Sequence, residues 1–149
     1  LSTIIQGASG GALDPWGMVY PVPEGLQTPK GIIRYPNLRI EANDENGRNE
    51  FFYGTTHRKA KIYAGKIDEN IVQHLARCVI ADNALEVQRV AQLSPALMVH
   101  DELVYVVPED QAQSTLDMVQ EIMRTPPTWW PELLTWSEGD IADTYGDAK

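Results

Sequence analysis

The chain has 149 residues, 43% of them apolar, with 12 lysines and arginines against 21 acids for a formal net charge of −9. That length fits one modest domain or one piece of a larger one, and the acidity excludes non-specific nucleic-acid binding driven by overall charge. No apolar run approaches the ~20 residues of a membrane span, and the single cysteine, Cys78, excludes an internal disulfide and suits a reducing cytoplasm.

The sequence opens on Leu1 rather than Met, as expected of a processed chain, an excised fragment or an unusual start. Its first residues have neither the basic flank nor the apolar core of a signal peptide. Residues 1–30 are rich in Gly and Pro, with Gly7 to Gly11 and Pro21-Val22-Pro23 as punctuation, and read as a partly ordered lead-in. Gly31 to Tyr35 is extended, and Pro36 marks an edge or a break. Leu38 to Glu41 continues the strand. Asn43 to Gly47 is a turn signal, because Asn-Gly favours the positive φ of tight hairpins. Glu50 to Tyr53 is the return strand, and Thr55 to Lys61 is a basic connection. Residues 30–66 hold eight bases and four acids, and residues 68–149 four bases and fifteen acids. The basic stretch is either a solvated hairpin surface or a local track for a phosphate backbone.

Asp68 to about Ala91 is the longest predicted helix, with Ile71, Val72, Leu75, Val79 and Ala81 to Leu85 at helical spacing and Asp68 placed to cap its first turn. Cys78 falls within it as a small core residue. Two apolar strands follow, Ala96 to Val99 and Leu103 to Val107, closed by Pro108. Glu109 to Arg124 is a second helix, with Ala112, Leu116, Val119 and Met123 as its apolar face, and Pro126-Pro127 stops it. The tail holds Trp129, Trp130 and Trp136 without a period, suited to packing. The fold class expected is α+β: an antiparallel sheet from the hairpin at 31–54 and the strand pair at 96–107, with two helices packed on it. An exposed apolar face should remain where further polypeptide docks, so the isolated chain should oligomerise or aggregate.

Between those last strands sits His100-Asp101-Glu102. Acids and an imidazole amid apolar strand formers are costly unless something compensates them, and a divalent metal ion is one such partner. A polar turn joining two strands is the other reading. Adjacent strand residues point to opposite faces, so Asp101 and Glu102 do not easily grip one ion together. A two-metal phosphoryl-transfer site needs several converging carboxylates; Asp101 supplies one, and the rest must lie elsewhere. His57 and His74 have no metal-ligand spacing to His100. There is no Walker-type phosphate loop, and Ser9 lacks a nucleophile motif.

Val99-His100-Asp101-Glu102 between apolar strands resembles the third sequence motif of family A DNA polymerases, the DNA polymerase I relatives. Lys61 to Lys66, Glu69 to Gln73 and Leu75-Ala76-Arg77 resemble the helix that precedes this motif in bacteriophage members, and Arg34 to Arg39 resembles a segment before it. Arg124 to Pro127 and Tyr145 to Lys149 resemble the end of phage-type enzymes. Taken in order, the likeness covers residues 25–149. It implies a palm-type sheet, with residues 31–149 as a C-terminal palm subdomain after the 1–30 lead-in. It implies that Asp101 binds catalytic Mg²⁺, one of two ions in the complete site, with Glu102 supporting it and His100 near the primer terminus. Gln73, with Asn70 and Arg77 on the same helix, is implied to contact the template–primer duplex.

The family's first motif and its fingers helix find no counterpart here. The resemblance therefore implies a catalytic portion of a DNA-directed DNA polymerase whose partners are primer–template DNA, a deoxynucleoside triphosphate and the N-terminal polymerase portion on another chain. No membrane is involved, and the setting is the cytoplasm of a host cell. Half a site should have negligible rate alone. The alternative is a non-catalytic palm-like scaffold or DNA-binding subunit of a replication complex. A metal-dependent nuclease would need a denser carboxylate cluster.

Overall fold

The computed structural model describes residues 11–42, 48–55 and 57–148, and the Asn43 to Gly47 turn and Ser9 lie outside them. Among the described residues the fold is α+β, with antiparallel sheets and two α-helices. It divides into two compact units, Leu1–Leu75 and Ala76–Lys149.

In the first unit the first strand among the described residues starts at Tyr20, ahead of the Gly31 start that the pattern predicts. β1 (Tyr20–Val22), β2 (Gly25–Thr28) and β3 (Gly31–Arg34) form an antiparallel meander. These strands are too short to show a period of two. Turn chemistry sets them instead: Pro23 precedes Glu24, whose φ is +57°, which is the pattern of a type II turn. Gly25 is required, since a Cβ there would lie 2.4 Å from the Ile33 carbonyl oxygen. Ahead of the meander, the Asp14 carboxylate accepts from the amides of Trp16, Met18 and Val19, pinning residues 14–19.

β4 (Arg39–Ala42), β5 (Asn49–Thr55) and β6 (Arg58–Ile62) form a second antiparallel sheet, with Arg39 opposite Phe52 and Phe52 opposite Lys61. β3 and β4 are not one strand, because Asn37 has a φ of +54° and Tyr35 turns into the core at 2% exposure. The basic stretch is largely answered by its own acids. Glu41 accepts from Arg39 at 2.8 Å and from Lys59 at 2.7 Å, and Glu50 accepts from Lys61 at 2.6 Å. That face is a solvated charge ladder.

Helix α1 (Ala64–Ala91) starts four residues before Asp68, on the Tyr63 carbonyl, which accepts from the amides of Lys66 and Ile67. Asp68 therefore sits in the second turn and caps nothing. In the first unit α1 buries Ile67 and Leu75, but Val72 is 66% exposed, against the expected apolar face. Leu26, Ile62 and Tyr35 are the most deeply buried side chains of this unit. Burial of each of the two aliphatic ones contributes about 2–3 kcal/mol.

In the second unit α1 buries Ile80, Asn83, Ala84 and Val87, whereas Leu85 is 67% exposed. β7 (Leu97–Val99) and β8 (Glu102–Val104) form a two-stranded ribbon, a sheet of its own rather than part of a single larger one. β8 ends at Val104, and residues 105–107 belong to no strand. A 3₁₀ turn (Glu109–Gln111) leads into α2 (Ala112–Arg124), where Val119 is buried and Ala112, Leu116 and Met123 are half-buried, as their spacing predicts. Trp129 donates its indole N–H to Asp82 at 2.8 Å, fastening the tail to α1. No helix among the described residues is long and apolar enough to cross a membrane.

Candidate functional site

The apex of the β7–β8 ribbon is a two-residue turn. Val99 pairs with Glu102, leaving His100 and Asp101 as its centre. His100 has a φ of +51°, whereas Asp101 does not enter that region. Positive φ at the first central position alone is the type II′ arrangement, which favours glycine there. A histidine in that place stores strain of about 1 kcal/mol, the order associated with functional turns.

All three members of the triplet are exposed. The burial penalty that would demand a compensating partner does not arise, and the apolar runs on either side belong to the ribbon below the turn. Asp101 makes no hydrogen bond or ion pair among the described residues. Glu102 differs, for its Oε2 accepts from the Tyr145 hydroxyl at 2.7 Å, which also pushes the phenol above its ordinary pKa. Carboxylate oxygens are the hard donors that Mg²⁺ takes, so Asp101 and Glu102 suit part of a donor set. They do not close one. No group of three His, Cys, Asp or Glu residues able to hold a metal ion occurs among the described residues.

The tail lines the other side of this site, and no periodicity in its sequence announces the contact. Arg124 donates to the Ser137 carbonyl at 2.7 Å and 3.2 Å and lies 4.6 Å from the Trp136 ring centroid. Thr135 donates to the Arg124 carbonyl and Ser137 to the Gln120 carbonyl. Gly139 lies so close to Leu116 that a Cβ would approach it to 2.8 Å. These contacts lead the chain back along α2 to the ribbon apex. Ribbon, helix and tail enclose a groove of about 770 Å³, floored by Leu116, Val119 and Met123. Tyr105 lines it, and its hydroxyl is buried without a hydrogen bond among the described residues; burial raises its pKa. Among the described residues, six acids line the groove, Asp101, Glu102, Glu109, Glu138, Asp140 and Asp143, and no lysine or arginine does. That field repels a phosphate backbone unless cations are held between them.

On α1 the residues Asn70, Gln73 and Arg77 follow i, i+3, i+7 spacing, hence one helix face. Gln73 is exposed and donates to Glu69 at 3.2 Å. Asn70 is half-buried and donates to the Tyr35 hydroxyl at 3.1 Å. Arg77 is exposed, 4.0 Å from the Met98 sulfur on β7. The second unit thus brings Arg77 beside the ribbon that carries His100, Asp101 and Glu102. His74 bonds Thr28 at 2.9 Å, a structural role.

Compared with known proteins, the chain is 30% identical over 126 residues to the DNA polymerase of Bacillus phage SP02. That match takes in 80% of this chain and 19% of the phage protein, so the chain spans about a fifth of that polymerase's length. The likeness relates this chain to a segment of a DNA polymerase. No protein-family model matches the chain, and no solved structure does.

Proposed function

We propose that this chain is the C-terminal catalytic portion of a family A DNA-directed DNA polymerase, whose remaining site residues lie outside these 149 residues. The likeness of 80% of the chain to the phage DNA polymerase carries this reading. The ribbon apex supports it, because it presents an exposed Asp101, without a partner among the described residues, beside an oriented Glu102. Exposed Val72 and Leu85 on α1 suit a chain that meets further polypeptide.

The reaction is attack of a primer 3′-hydroxyl on the α-phosphate of a deoxynucleoside triphosphate, forming the new phosphodiester and releasing pyrophosphate. Two Mg²⁺ ions, when bound, would supply positive charge at the attacking and leaving oxygens. Asp101 is the carboxylate this chain brings to hold them, and Glu102 is its supporting neighbour. His100, fixed by its turn, orients the primer terminus. Gln73 and Arg77, with Asn70, face the duplex. Catalysis of this kind is positioning and charge stabilisation, so a portion of the site has negligible rate on its own.

Nucleotide incorporation on a primed template, measured with the chain alone and with the complementary polypeptide, tests the assignment. The chain alone is expected to be inactive and the pair active. In the pair, Asp101→Ala should abolish incorporation while DNA binding persists. Incorporation by the isolated chain would refute the split site, and an active Asp101→Ala pair would reduce the chain to a scaffold.

A further inference from the structure

We infer that Tyr145 is a positioning residue for Glu102, which makes the end of the tail part of the site. Glu102 is the first residue of β8 and exposed. A glutamate there has several rotatable bonds, and holding its carboxylate in one direction carries an entropy cost. The hydroxyl of Tyr145, 43 residues further along, donates to Oε2 at 2.7 Å. The donor is neutral, so it fixes the carboxylate without cancelling its charge, as a lysine or arginine would. The other oxygen, Oε1, is left available.

The tyrosine reaches this place because the tail is anchored on α2 before it arrives. Arg124 holds the Ser137 carbonyl at 2.7 Å, Ser137 is 6% exposed, and Gly139 packs against Leu116. Asp101, one residue before Glu102, has no such partner. The two adjacent acids are therefore unlike: one is held in advance and the other is open. What Glu102 is held for rests on the polymerase reading above; the contact with Tyr145 does not.

Tyr145→Phe removes the hydroxyl and keeps the ring. In the 149-residue chain, this variant should move the side-chain carboxyl carbon resonance of Glu102 and leave the backbone resonances of β7 and β8 in place. A Glu102 resonance indifferent to the hydroxyl would overturn the assignment. In primer extension with the complementary polypeptide, Tyr145→Phe should lower kcat by about three- to tenfold, the range of one hydrogen bond to a charged group, with KM for the triphosphate unchanged. In a Glu102→Ala background the same change should cost nothing more, and multiplicative losses would show that Tyr145 acts elsewhere. Failure of the polymerase reading looks different: Asp101→Ala and Glu102→Ala would both leave incorporation intact, and the Glu102 resonance would still decide the contact.

Discussion

The amide of Asn70 donates to the hydroxyl of Tyr35 at 3.1 Å, and the buried Tyr35 ring stands edge-on to Tyr53 at 5.4 Å. Burial holds that phenol above its ordinary pKa, and the Asn70 bond draws it partway back. Asn70 thus ties α1 to the segment after β3, whatever it offers a duplex. Tyr35→Phe and Asn70→Ala should each lower stability by about 1 kcal/mol, and the double variant by little more than either. Urea unfolding of the three variants measures this. Fully additive losses would mean that the bond is not made in solution.

Arg124 is the tail's main fastening, with two hydrogen bonds to the Ser137 carbonyl and its guanidinium against Trp136. Arg124→Ala removes these three contacts, together with a hydrogen bond to Gln120 within α2, and should weaken the tail by about 2 kcal/mol. Arg124→Lys keeps the charge but loses the planar fork, and should recover only part of this. Hydrogen exchange at residues 135–147 is the direct measurement. It should accelerate while the amides of β4 to β6 do not change.

How much of this was legible in the sequence depends on what kind of signal each part carries. Helix α2 was, because Leu116 and Val119 recur on one face and prolines follow its end. The ribbon was, because Met98 and Val99 on one side and Leu103 and Val104 on the other leave only three residues between the two apolar runs, of which the structure adds Glu102 to the second strand. The meander at Tyr20 was not, since three- and four-residue strands carry no period and are set by turns. Val72 and Leu85 were misread because apolar identity on a helix does not say which face is covered. The triplet is exposed, so its cost lies in backbone strain at His100 and not in the burial that its apolar flanks imply. For Tyr145 the resemblance of the chain's end to phage-type enzymes marks the segment but not its partner, because a contact 43 residues distant follows from the path of an aperiodic tail.

Acid should loosen the β4–β6 sheet through Glu41. The bond from Lys59, aided by Arg39, holds this carboxyl below the usual carboxylate range. A depressed folded-state pKa contributes stability that is present above the unfolded value near 4.5 and is lost as pH falls through the folded one. The melting temperature should therefore fall on acidification below about pH 4.5 in the native chain, and Glu41→Gln should remove part of that fall. Because the groups are exposed, the difference should shrink in about 1 M salt, where screening reaches contact distances. An identical acid profile for the variant would assign the acid sensitivity elsewhere.

His100→Gly separates stability from function at the ribbon apex. The backbone there is at a φ of +51°, in the first central position of a two-residue turn, where glycine is at ease and a histidine is strained. Glycine also loses more freedom on folding, so the net gain is modest: the variant should match or exceed the native chain by up to about 1 kcal/mol. His100→Val, with a branched Cβ, should lose stability instead. If the imidazole orients a primer terminus, the glycine variant paired with the complementary polypeptide should incorporate nucleotides more slowly despite folding as well or better. Thermal melts and primer extension on the same preparations decide between the two roles. A glycine variant that is more stable and equally fast would leave the histidine without a part in the reaction and confine the ribbon's contribution to its two carboxylates.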